Sequence, residues 1–195
     1  MPYFTIFAII FIIVFTVRNR QNIKKQADIT DNFWEKELEA NSTRRKDISN
    51  LEYISIPLEI FPPDVHRESE EKIKALSEKK ILNLTGMTNT DLKLTYGVAN
   101  LEFLGECDAN FADLVYCIGT YATELLNVNR VEEAKKILEF GVSIQADSAL
   151  IYTTLGKIYH ESQETDQIKA LIENAKALDS LQKTSIISKL SEYVG

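Results

Sequence analysis

Residues 115–148 and 149–182 repeat one another at a spacing of 34 residues. Ile118 pairs with Tyr152, Tyr121 with Leu155, Ala122 with Gly156, and Leu125 with Tyr159. Ala134 then pairs with Ile168, Leu138 with Ile172, and Gly141 with Ala175. Size class is kept at nearly every pair. A repeat of this period is one pair of helices, which cannot bury its apolar face alone and must stack on a neighbour. The chain is therefore read as all-α.

The rest of the chain is divided around that repeat. Tyr3 to Val17 is apolar except for Thr5 and Thr16. As a helix it would span ~22–25 Å, a little short of the ~30 Å bilayer core. Arg18 and Arg20 follow, with Lys24 and Lys25 close behind, and nothing basic precedes the run. A cleaved signal has the opposite order, so residues 1–17 read as an uncleaved transmembrane anchor whose residues 3–17 meet the lipid bilayer. Basic residues stay on the cytoplasmic side, so the expected topology is single-pass in the cell membrane. The N-terminus would lie outside and the rest in the cytoplasm. Richness in Ile, Lys and Asn fits a bacterial source.

Residues 18–63 read as a polar linker, or a helical extension over 18–32, with a short amphipathic helix over 32–40. Phe33, Trp34 and Leu38 share a face there and are expected to dock on the folded domain; contact with the membrane surface is the other reading. Asn41 to Lys46 is a basic break, and Ile54 to Pro57 a brief extended piece ahead of Pro62 and Pro63. Asp64 is placed to cap a helix over 65–84, followed by a shorter helix over 88–96 that Gly97 ends. Residues 98–107 read as helical or as a turn-rich connection. Helices are then expected at 110–127, 130–145, 147–162, 164–179 and 181–193. Asp113 and Asp147 recur at the repeat spacing, the latter as a helix start.

This pattern resembles the tetratricopeptide repeat family. Its large, Leu, Gly/Ala and Tyr positions fall at Ile118, Tyr121, Ala122 and Leu125, and again at Tyr152, Leu155, Gly156 and Tyr159. Its Ala, Phe and Ala positions fall at Ala134, Leu138 and Gly141, then at Ile168, Ile172 and Ala175. Ala146 and Ser180 stand where the family often has proline. A third copy over 81–114 is poor, with Asp91 at an aromatic position and Gly97 inside. The resemblance implies an α-solenoid of antiparallel helix pairs over 64–195, closed by a capping helix over 181–193, whose N-terminal layer is supplied by the helices of 64–108. It also implies a concave groove that holds a protein or peptide partner. The groove residues would be Thr120, Thr123, Thr153, Thr154, Lys157 and His160. The family's Lys/Asn carboxylate clamp is not matched, since Gly119 and Thr123 stand at the comparable positions.

Charge limits the partners. Residues 1–50 carry 8 Lys/Arg against 6 Asp/Glu, and residues 51–195 carry 14 against 23. An acidic folded part does not suit nucleic acid. Cys107 and Cys117, with His66 and His160 far off, do not match zinc-ligand spacings and read as small buried thiols. There is no Gly-rich phosphate loop, no G-x-S-x-G and no H-E-x-x-H, so neither catalytic residue, metal nor cofactor is assigned. Glu68, Glu70 and Glu71 beside His66 read as acids at a helix start. The expected role is a membrane-tethered interaction scaffold. Two other roles stay open: a hydrolase-like enzyme using 84–108, and a structural protein that forms homo-oligomers through Trp34 and the linker helix.

Overall fold

The structure is a computed structural model describing residues 2–65 and 67–194; in the first helix, the side chains at 2, 4–6, 8–10, 12 and 13 fall outside the description. Among the described residues every regular element is helical. The helices are α1 (Pro2–Ser42), α2 (Arg67–Ser77), α3 (Asn89–Tyr96), α4 (Leu101–Asn127), α5 (Val131–Ser143), α6 (Ala149–Glu161), α7 (Thr165–Ala177) and α8 (Lys183–Ser191). The chain forms two compact units. One holds the residues up to Lys46 with Asn89–Asn100; the other holds Asp47–Thr88 and everything from Leu101 on.

In the first unit, residues 18–42 belong to one long helix, so of the two readings of 18–32 the helical extension holds and it runs on through the helix expected over 32–40; no Gly or Pro interrupts residues 3–56. Residues 14–36 are exposed on every side. The C-terminal end of α1 packs on α3, with Ala40 and Leu92 buried. Lys36 pairs with Asp91 at 2.8 Å, and Glu37 accepts hydrogen bonds from Lys93 at 2.9 Å and from the Thr90 hydroxyl. These contacts hold the Glu37 carboxyl below its usual range, the Thr90 hydrogen bond most of all. Asn100 is buried, and its amide donates to the carbonyls of Lys46 at 2.8 Å and Tyr96 at 2.7 Å while accepting from Arg45 at 3.2 Å. Gly97 has φ +88 and lies so close to the Arg44 carbonyl that a Cβ would collide with it.

The second unit is built on the repeat. In α4 the buried residues Leu104, Cys107, Phe111, Leu114 and Ile118 keep a stripe of alternating three- and four-residue steps. That stripe explains why α4 starts at Leu101, nine residues before the helix start expected at 110, and of the two readings of 98–107 it is the helical one that holds from Leu101 on. The turn after α4 puts Asn129 at φ 61, with Arg130 N–H on the Leu125 carbonyl at 2.8 Å. The turn after α6 puts Gln163 at φ 61, with Glu164 N–H on the Tyr159 carbonyl at 2.8 Å. Both donors, both acceptors and both left-handed residues are 34 apart, so the two hairpins close with the same hydrogen bonds.

Every repeat-paired position except one is buried. At the exception, Ile172 is half-buried and its neighbour Leu171 takes the core place. α5 packs on α4 and α6, α7 on α6, and α8 on both α6 and α7.

The first layer of this unit differs from expectation. The helix expected over 65–84 ends at Ser77, and Ile81, Leu82 and Leu84 are buried from extended chain. Consecutive buried residues do not fit one helix face, and Asn83 holds that chain by donating to the carbonyls of Ile144 at 3.1 Å and Gln145 at 3.2 Å. Asp64 is not a helix cap. It sits at φ 65, and α2 begins three residues later. The layer against α4 and α5 is α2 with the segment 54–62, not the full set of helices from 64–108. Phe61 meets Tyr121 edge-on at 5.5 Å and Phe140 at 6.4 Å, and the Tyr121 hydroxyl donates to the Pro62 carbonyl.

Two stability outcomes follow from these geometries. Gln163→Gly removes a side chain from the left-handed region, where an L residue costs ~1–2 kcal/mol, against ~0.5–1 kcal/mol for the added freedom of glycine. Thermal unfolding of the second unit should therefore rise by a degree or more; a fall would mean that the Gln163 side chain holds the turn. Asn100→Ala removes a buried amide together with its hydrogen bonds to the Lys46 and Tyr96 carbonyls and from Arg45, at ~1–3 kcal/mol. Hydrogen exchange should accelerate over 40–46 and 89–100 while the core of α4–α7 keeps its protection.

Candidate functional site

The first helix of each repeat, α4 and α6, offers an outward face. Thr123 is exposed, but its hydroxyl donates to the Gly119 carbonyl of its own helix at 2.8 Å. Thr153 does the same to Ala149 at 2.7 Å. Hydroxyls turned back on their own backbone are less available to a partner. Thr154 is half-buried. Lys157 is exposed and 3.7 Å from Glu161, and the exposed His160 ring lies 5.1 Å from that of Tyr193.

Of the six, Thr120 lines a pocket. This pocket, about 380 Å³, lies between α4 and the start of α6, with Val115, Tyr116, Gly119 and Leu150 on its walls. Tyr116 is 67% exposed and Leu150 is 52% exposed. They occupy the same repeat position, 34 residues apart, and were absent from the sequence expectation. The signal was available: a large apolar residue at the same outward position in both units. Gly119 makes the arrangement possible, since a Cβ there would stand 3.0 Å from Leu150 Cδ2. Lys72 from α2 lies 6.0 Å from the Tyr116 ring centroid and is paired with Glu68 at 2.8 Å. The loop before α8 braces the start of α6, with the Ser180 hydroxyl donating to Asp147 at 2.7 Å and the Gln182 side chain accepting from Ala149 N–H at 3.3 Å. Asp147 precedes α6 as expected, but the residue in the N-cap position is Ser148.

The titratable groups near this face are mostly structural. Tyr159 donates to Glu139 at 2.8 Å, with Lys135 5.0 Å over its ring and bonded to Glu164 at 2.7 Å. Burial, then the Glu139 hydrogen bond, pushes the Tyr159 hydroxyl well up from its ordinary value. Burial, with the Asp147 carboxylate behind it, pushes Tyr152 up to about 12. The Tyr152 hydroxyl is buried with no hydrogen-bond partner among the described residues. Cys107 and Cys117 are free, buried thiols, both pushed up by burial. Ten residues of one helix separate them by ~15 Å, too far for a disulfide.

Residues 84–108 contribute Thr85 to a pocket of about 480 Å³ shared with Glu52, Asn83 and Asp179. They also contribute Phe103, Glu106 and Cys107 to one of about 490 Å³. Among the described residues no group of three or more His, Cys, Asp or Glu side chains is arranged to hold a metal ion. Phe33, Trp34 and Leu38, expected to dock, are exposed; Trp34 and Leu38 are 60% and 71% exposed, and the Phe33 and Trp34 rings meet edge-on at 5.5 Å. Among the described residues no helix is long and apolar enough to cross a membrane. Most of the span expected over 3–17 lies outside the described side chains, as does His66. No protein-family model, curated protein or solved structure matches the chain.

The buried tyrosines set an alkaline limit. A phenol whose folded value is raised stabilises the fold below its unfolded value of ~10 and loses that contribution as pH climbs towards the folded value. For Tyr152 the window is ~10 to about 12. Tyr152→Phe removes a buried hydroxyl that lacks a partner, which costs ~1–3 kcal/mol in such sites. The variant should be at least as stable as the parent at pH 7 and unfold at higher pH in a 295 nm titration; marked destabilisation at pH 7 would mean the hydroxyl has a bound partner.

Proposed function

We propose that the chain is a membrane-tethered scaffold that holds a partner protein through a tetratricopeptide-like groove. The observation that carries this reading is the pair of exposed apolar residues, Tyr116 and Leu150, at matching positions of two hairpins closed by matching turns. In this reading α4–α7 form a short α-solenoid, and α8 is the helix that covers its exposed end. A solenoid presents one helix of each pair on a common face, and apolar side chains left open on such a face mark an interaction surface.

The tether belongs to the same proposal. Tyr3–Val17 would sit in the bilayer, with Arg18, Arg20, Lys24 and Lys25 at the cytoplasmic headgroups and the second unit in the cytoplasm. Holding a binding surface on a membrane raises its effective concentration towards other membrane-bound proteins without any new contact. No catalytic step is required.

A photo-reactive amino acid placed at position 150 of the full chain in intact cells tests the groove. A discrete crosslinked adduct at 150, absent when the same group is placed at the exposed Asp166 position, is the expected result. Equal patterns at both positions, or none at 150, would remove the groove. External protease on the same cells should leave the second unit intact; its digestion would reverse the orientation.

A further inference from the structure

Resting on that scaffold reading, we infer that the groove takes a basic peptide segment with large apolar side chains spaced about three residues apart. The two rungs of the groove carry the same chemistry. Asp113 precedes Tyr116 by three residues on α4, and Asp147 precedes Leu150 by three at the start of α6. On α4 one turn of helix puts residues three apart on one side, and Asp147, which precedes α6, lines the same pocket as Leu150. Each rung thus presents an acid beside an exposed apolar side chain, and the pair recurs after 34 residues.

Asp113 is exposed and forms no hydrogen bond or ion pair among the described residues. Asp147 is half-buried and receives only the neutral Ser180 hydroxyl. Lys72, 6.0 Å from the Tyr116 ring centroid, is already held by Glu68. The carboxylates beside the groove are therefore not neutralised from within the unit. The wider field has the same sign, since the second unit carries 23 Asp/Glu against 13 Lys/Arg. A basic ligand is drawn to such a surface, and an acidic one is repelled.

Spacing selects the form of the ligand. α4 and α6 are in contact, and packed helices lie ~8–10 Å apart. Extended chain advances ~3.3 Å per residue, so three residues carry one apolar side chain from the first rung to the next. The apolar side chains fill the walls at Val115, Tyr116 and Leu150, and Lys or Arg beside them faces Asp113 and Asp147.

Fluorescence anisotropy of the full chain in nonionic detergent tests this with three labelled nonapeptides. All carry leucines three apart, flanked by Lys, by Ser or by Glu, and binding to empty micelles is subtracted. The Lys probe should bind at least tenfold more tightly than the Glu probe, with the Ser probe between. Leu150→Ser and Tyr116→Ser should each weaken the Lys probe at least fivefold, with helix content unchanged by circular dichroism. Asp113→Lys should weaken it more than Asp166→Lys, which changes net charge equally at an exposed site on α7. Equal binding of the Lys and Glu probes, or equal effects of the two charge reversals, would overturn the inference. If the position-150 crosslink forms in cells while the Lys probe fails to bind, the scaffold reading stands and the ligand chemistry assigned here is wrong; loss of both removes the groove altogether.

Discussion

How closely α6 can approach its neighbours controls the second unit. Gly141 leaves room for the side chains of Ile118 and Ile151, each of which would stand 3.1–3.2 Å from a Cβ placed there. At Gly156 a Cβ would strike Leu190 of α8 outright. These two absent side chains set the spacing at which Leu138, Ile151, Leu155 and Ile186 interlock and become buried. A larger residue at either point would push a helix outward and leave gaps along its length, at a cost of ~1–3 kcal/mol or more. Gly119 extends the same logic to the surface, because Leu150 can lie against α4 there only where α4 has no side chain of its own.

A stack of two hairpins has two ends to close, and the ends are closed differently. α8 covers one with Ile186 and Leu190. The other is met by α2 and by chain that is mostly irregular, with Ile56 and Phe61 supplying what a further hairpin would have supplied. Irregular chain can do this because its polar groups find partners. Ile54 N–H reaches the Ile81 carbonyl at 2.9 Å, the Pro62 carbonyl takes the Tyr121 hydroxyl, and Asn83 answers the carbonyls at the end of α5. Buried loop without such partners would cost more than its apolar side chains return.

What was legible in the sequence follows from this division. The repeat was legible because periodic burial writes itself into side-chain size: α4–α7, their turns and nearly all their core residues sit where the 34-residue pairing puts them. The outward positions of α4 and α6 were legible, but not the contacts their side chains make. Thr123 and Thr153 occupy outward positions, yet their hydroxyls turn to their own helices, a local choice that residue type does not disclose. Leu150 went unread because an apolar residue at a helix start looks like core until its neighbours are known. The segment 54–64 was hardest, since its conformation is dictated by Tyr121, Phe140 and Ile81, residues distant in sequence. Asp64 carries the composition of a helix cap and the backbone of a left-handed turn.

Charge is divided along the same lines as structure. The first unit carries 9 Lys/Arg against 6 Asp/Glu, while the second is strongly acidic. Within the second unit many acids are already engaged: Glu164 by Lys135, Glu133 by Arg130, and Glu70 by Lys74. Those pairs fix helices to one another or to themselves and leave little field behind. The acids beside the proposed groove, Asp113 and Asp147, act differently. With no cation paired to them among the described residues, their field extends over roughly a Debye length, ~8–10 Å at physiological salt. An apolar strip inside that range is selective: burying it favours any large side chain, but the carboxylates penalise those that arrive with negative charge. Affinity would come from the apolar pair and discrimination from Asp113 and Asp147, so the two properties can be altered separately.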